Sequence, residues 1–145
     1  MALLIVFGNL TDYNSNYYFV EHVMKMDTIF PSSSLHYRGI KNPLLYHAAY
    51  IIIIILELII AVACVWGGIK MLRKIKAAGV EFHASKNVAV AGVLAGILLF
   101  FFGFEVIGGE WFAMWQSNSA NGLPTAERIV SFLVLTLILL HHKDE

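Results

Sequence analysis

The chain has 145 residues, of which 59% are hydrophobic and 14% charged, with a formal net charge of +0. Soluble domains average roughly 45–50% apolar and about 25% charged residues, so the apolar excess (mean hydropathy +0.72) calls for lipid as the solvent. The charge balance excludes nucleic acid as a partner, and a single cysteine, Cys64, excludes an intrachain disulfide.

Residues 1–10 are apolar, but ten helical residues cover only about 15 Å. They read as a truncated first transmembrane helix, with a short half-inserted segment as the alternative. A signal peptide fits less well, because there is no basic n-region and no A-x-A-like cleavage site. Asn9-Leu10-Thr11 matches a glycosylation sequon, a weak signal so close to a membrane.

Residues 11–43 form the first outer loop. Within it Phe19, Val20, Val23, Met26 and Phe30 follow helical spacing. Glu21, His22 and Lys25 lie on the opposite face, and Glu21 and Lys25 are an i, i+4 pair. This predicts an amphipathic helix lying on the membrane or capping the bundle. Asp12, Asn14 and Ser15 supply its start, and Pro31 with the serines that follow supplies its end.

Residues 44–71 are the clearest span. About 20 helical residues cross a hydrocarbon core, and this run exceeds that. Its isoleucine run, residues 51–55, would suit a strand in water, but in lipid only a helix satisfies its own backbone hydrogen bonds. Residues 72–87 connect to the next span. Lys70, Arg73, Lys74, Lys76 and Lys86 outweigh Glu81 around this loop, which places it in the cytoplasm by the positive-inside rule.

Residues 88–107 form the second clear span, with Glu105 near one end. Residues 108–125 are the second outer loop, where Trp111, Phe112 and Trp115 read as interfacial aromatics. Asn121-Gly122 makes a turn, and Pro124 opens the last helix. Residues 126–140 form a short last span. The tail from His141 onward is polar and frayed, and it lacks the terminal leucine of a KDEL signal. The predicted fold is a single all-α membrane domain over residues 1–145. It is a bundle of four transmembrane helices with a short first one and an amphipathic helix in the outer loop.

Several blocks of this sequence resemble one family. Asn9-Leu10-Thr11-Asp12-Tyr13, Phe19-Val20, His22-Val23, Met26-Asp27-Thr28 and Phe30-Pro31 are similar to the first outer loop of the bacterial domain-of-unknown-function family 2165. His47-Ala48-Ala49-Tyr50 with Glu57 follows in the same order. Gly108-Gly109-Glu110-Trp111-Phe112 with Met114-Trp115-Gln116-Ser117 completes the series. The resemblance implies a small integral protein of the bacterial inner membrane with four spanning helices. It implies no activity.

Glu57, near the middle of the best span, is the strongest candidate for chemistry. A charge at the bilayer centre costs about 2.5–3.5 kcal/mol on insertion scales, so such a group faces the bundle, carries a proton or has a partner. His47, Tyr50, Ile54, Glu57, Ala61, Cys64 and Gly68 recur at spacings of three and four, which predicts one polar and small-residue stripe facing protein. Two readings stand: a packing seam in which Glu57 hydrogen-bonds across helices, and a proton or cation site. Gly92 and Gly96 form G-x-x-x-G, with Gly103 on the same side, and small residues of this kind let helix backbones approach closely.

On the outer side, Asp12, His22, Asp27, His47, Glu105 and Glu110 lie at similar depth. They read as hydrogen-bonding ties between loop and helix ends, with a metal or an axially held haem as the alternative. Their spacing matches no zinc or haem motif, so no cofactor is predicted. No G-x-S-x-G, P-loop or Cys nucleophile with a placed base is present, so the expectation is not an enzyme. The expected partners are the lipid bilayer and either further copies of the chain or a larger membrane complex. The function expected is a non-catalytic accessory or interaction subunit. A small proton- or ion-coupled transporter or channel using Glu57 is the first alternative, and a metal- or haem-binding subunit the second.

Overall fold

A computed structural model describes residues 1–142, and among them every regular element is a helix. Six α-helices follow one another: α1 (Ala2–Thr11), α2 (Tyr13–Lys25), α3 (Pro43–Arg73), α4 (Gly79–Ser85), α5 (Asn87–Ile97) and α6 (Leu123–His141). Three helices are long and apolar enough to cross a membrane: Pro43–Arg73, the continuous run Gly79–Trp111, and Leu123–His141. Helix α1 is apolar but only 10 residues long. The expectation for the tail at residues 143–145 lies outside the described residues.

Two of the three long helices open on the caps their sequence offers. Asn42 caps α3, its side chain accepting the Leu44 N–H at 3.0 Å, and Pro43 takes the first turn, where no N–H is needed. Pro124 does the same for α6. Helix α5 packs along α3 and α6, while α1 packs on α3 and α2. Direct packing of α1 against α6 is slight, so the helices lie in the order α1–α3–α5–α6 with a gap between the first and the last.

Three features depart from the predicted elements. The first is the continuation of α5. Leu98–Trp111 is a π-helix, and the Phe112 N–H donates to the Ile107 carbonyl at 3.0 Å, an i→i+5 bond. Helical backbone therefore runs past Ile107 through Gly108, Gly109 and Glu110 to Trp111. The glycines make room there: a Cβ on Gly109 would lie 3.0 Å from Leu123, and one on Gly108 3.2 Å from Met114.

The second concerns the helix expected in the first outer loop. Helix α2 begins at Tyr13 and stops at Lys25, short of Pro31. Met26 takes a left-handed conformation (φ 56°) and its N–H closes on the His22 and Val23 carbonyls. This backbone is costly for a side chain other than glycine. Full burial of Met26 against Ile29, Phe112 and Ala113 holds it in place. Asp12 occupies the N-cap position without a capping bond from its side chain.

The third is an unexpected strap. A 3-10 turn, Ser34–Arg38, folds back over the end of α2, and the Ile40 N–H donates to the Met24 carbonyl at 2.8 Å. A Cβ on Gly39 would fall 2.6 Å from the Lys25 carbonyl oxygen, so only glycine lets the strap lie this close. Arg38 reaches the carbonyls of Glu110 and Trp111 at 3.4 and 3.3 Å and tethers the strap to the end of the π-helix.

Candidate functional site

Helix α3 turns one stripe inward, as its spacing predicts. Tyr46, Tyr50, Ile54, Glu57, Ile60, Ala61 and Gly67 are buried, while Ile51, Ile52, Ile55, Leu58, Ile59 and Val62 face outward. His47 sits at the exposed margin of this stripe. Cys64 is half-buried, and Gly68 meets open space. The close approach is made one residue earlier: a Cβ on Gly67 would fall 2.4 Å from the Ala89 nitrogen. Tyr46 was not anticipated. It is fully buried, and its hydroxyl donates to the Ile40 carbonyl at 2.5 Å, joining the strap to the top of α3.

Glu57 is 4% exposed and is held from α1. Asn9 Nδ2 donates to Glu57 Oε2 at 2.5 Å, and the Tyr50 hydroxyl donates to the Asn9 carbonyl at 3.0 Å. Asn9 thus bridges two residues that lie seven apart on α3. Its amide nitrogen, the atom a sequon would modify, donates in this tie. The sequence offered one signal for the pairing: a lone amide at the end of an apolar run, opposite a lone carboxyl in another.

Glu57 lines a cavity of about 380 Å³ between α1, α2, α3, the π-helix and the start of α6. Asn9, Asn16, Asn121 and Thr125 contribute polar groups, and Phe19, Tyr50, Phe100 and Phe104 contribute rings. Phe100 and Phe104 stack at 5.4 Å between centroids, one wide turn apart in the π-helix. An apolar cavity of about 240 Å³ lies on the other side of Phe19 and Phe104, lined by Val23, Leu99, Ile107 and Met114 among others.

The polar residues expected on the outer side pair locally and do not assemble into one centre. His22 Nδ1 and Asp27 Oδ1 are 2.6 Å apart. His47 Nδ1 shares a 2.9 Å hydrogen bond with the Tyr13 hydroxyl and stacks on Tyr17 at 4.1 Å. Asp12 and Glu110 are exposed, and Glu105 Oε1 is buried without a hydrogen-bond partner among the described residues. Among the described residues, no group of three His, Cys, Asp or Glu side chains is placed to hold a metal. Lys25 pairs with Glu21 as the spacing predicts, and that hydrogen bond raises the Lys25 pKa above its ordinary value. Burial, followed by the charge of Glu21, raises that of Tyr17.

The packing glycines divide. A Cβ on Gly92 would lie 3.0 Å from Ala63 and Cys64, and one on Gly96 3.0 Å from Leu133, so this pair seats α5 on α3 and α6. Gly103 takes no part: only Leu99 of its own helix comes near, at 3.7 Å, and Gly103 borders the apolar cavity instead. The aromatics also divide. Trp111 and Trp115 are half exposed, with Arg38 over the Trp111 ring at 5.0 Å and Phe30 edge-on to Trp115 at 6.1 Å. Phe112 is 8% exposed and belongs to the core around Met26, so it is no interfacial anchor.

Three apolar helices of spanning length, with the intramembrane carboxyl turned inward, define a small α-helical integral membrane protein. The chain belongs to the family described as predicted small integral membrane protein (DUF2165), which matches it over residues 1–143. No curated protein and no solved structure matches the chain.

Proposed function

We propose that the protein is a non-catalytic accessory or interaction subunit of the bacterial inner membrane. In this reading it is a four-helix unit with α1 as the short first helix, α2 as its amphipathic outer cap and the 72–87 loop in the cytoplasm. The basic excess of Lys70, Arg73, Lys74, Lys76 and Lys86 over Glu81 supports that orientation.

One observation carries the accessory reading: polar side chains are spent on internal ties. Asn9 binds Glu57, Tyr13 binds His47, His22 binds Asp27 and Lys25 binds Glu21. No serine, threonine or cysteine stands beside a base among these pairs, and the outward faces of α3 and α6 are apolar. Such a chain acts through what packs on it. The test is cross-linking in cells followed by purification in mild detergent. A fixed partner or a defined homo-oligomer is the expected result, and a lone monomer across detergents contradicts it.

A second reading, a small proton- or ion-coupled transporter, is favoured by the position of Glu57 on the wall of a cavity. It predicts that Glu57→Gln leaves assembly intact and abolishes a coupled flux in proteoliposomes. Unchanged flux removes it.

A further inference from the structure

Glu57 is a buried carboxyl without a basic partner among the described residues. No described lysine, arginine or histidine pairs with it. Asn9 occupies Oε2, and no other hydrogen bond reaches the carboxyl among the described residues. A carboxylate in a low-dielectric site is strongly unfavourable until a proton or another positive charge joins it. The cavity of about 380 Å³ beside it is large enough to admit such a charge on a small organic molecule, since ligand sites run from about 300 to 1,000 Å³.

The lining selects the kind of cation. A divalent metal needs several hard ligands at once, and no group of three His, Cys, Asp or Glu side chains converges among the described residues. The walls are instead aromatic: Phe19, Tyr50, Phe100 and Phe104 present rings around one acid. Ring faces attract ammonium groups, and the attraction grows when water is excluded. Two aliphatic side chains complete the cavity. Ile5 of α1 and Ile129 of α6 line it where these helices leave a gap.

We infer that this chamber binds a small organic ammonium, its charge beside Glu57 and its apolar part among the rings. The inference goes beyond the accessory reading. It deepens the transport reading by naming the ligand class, but a site that binds without moving its ligand satisfies it fully.

The test is equilibrium dialysis of the purified full chain in detergent, using benzyltrimethylammonium as the probe. The neutral isostere neopentylbenzene measures partitioning into the micelle. The expected result is saturable binding of the ammonium at one per chain, with the isostere showing only micelle partition. Glu57→Gln keeps an acceptor for Asn9 and removes the charge; it is expected to weaken binding by about tenfold or more. Phe104→Leu is expected to weaken it about threefold. Equal uptake of ammonium and isostere by the unaltered chain overturns the site, whether or not either variant folds. So does unchanged affinity in a Glu57→Gln chain that keeps its helicity and elution volume. Binding without flux in proteoliposomes supports the site while removing the transport reading. Flux that depends on Glu57 but comes with no ammonium binding overturns the site and leaves that reading standing.

Discussion

The cap formed by α2 and the strap and the far end of the helices are built for different solvents. At the cap, Met26, Tyr46 and Ala113 are fully buried, and Met114 and Tyr50 nearly so. Two clusters of buried apolar residues lie there, one around Met26 and Phe112 and one around Val20 and Tyr50. Toward the other end, α6 buries only Ala126 and Ile129, both near its start, and Phe132, Leu135, Ile138 and Leu139 are more than half exposed. The cap holds itself together by burying side chains among protein, as a water-soluble domain does. The lower helices leave their apolar faces to lipid, which is as apolar as they are, and associate through close contacts at Gly67, Gly92 and Gly96.

Substitutions at paired positions break or sharpen this contrast. The largest effect is expected at the cap: Tyr46→Ala empties a fully buried site and should cost about 3–5 kcal/mol. Leu135→Ala, on the lipid face of α6, should cost almost nothing in the same denaturant titration in mixed micelles. Similar losses at both positions erase the distinction. Next comes Asn9→Leu, which leaves the Glu57 carboxyl without its donor and should cost about 1.5–3 kcal/mol, seen as loosening of α1 by hydrogen exchange.

Close packing lower down is tested by Gly67→Val against Gly68→Val. The first forces a side chain into the Ala89 backbone and should cost about 1–3 kcal/mol; the second enters open space and should be nearly silent. The smallest effect is electrostatic. The Glu21 hydrogen bond raises the Lys25 pKa. The associated stabilisation is therefore present below the ordinary lysine pKa and fades as pH rises through the raised value. Glu21→Gln should bring the Lys25 pKa back down in an NMR titration, with little change in stability because the pair is solvated.

What the sequence makes legible follows from periodicity. Lipid removes every backbone option but the helix, so the long apolar runs declare themselves. The stripe through Tyr50, Ile54, Glu57 and Ala61 is readable because polar and small residues repeat at three and four. The stripe drifts at both ends: Tyr46 rather than His47, and Gly67 rather than Gly68, turn inward. What escapes is tertiary. The π-helix has no pattern of its own in a run that is apolar on all sides. Met26 breaks the rule that left-handed backbone calls for glycine, and only its burial explains it. The Asn9–Glu57 tie joins residues 48 apart, and no local spacing announces it.

The central claim is that Glu57 faces protein while its neighbours on α3 face lipid. Nitroxide labels placed singly at 54, 57, 58, 59, 61 and 62 in bilayers, with Cys64 changed to serine, measure it through collision with dissolved oxygen. Low collision rates at 54, 57 and 61 with high rates at 58, 59 and 62 are predicted. A high rate at 57, or rates without helical period, contradicts the account.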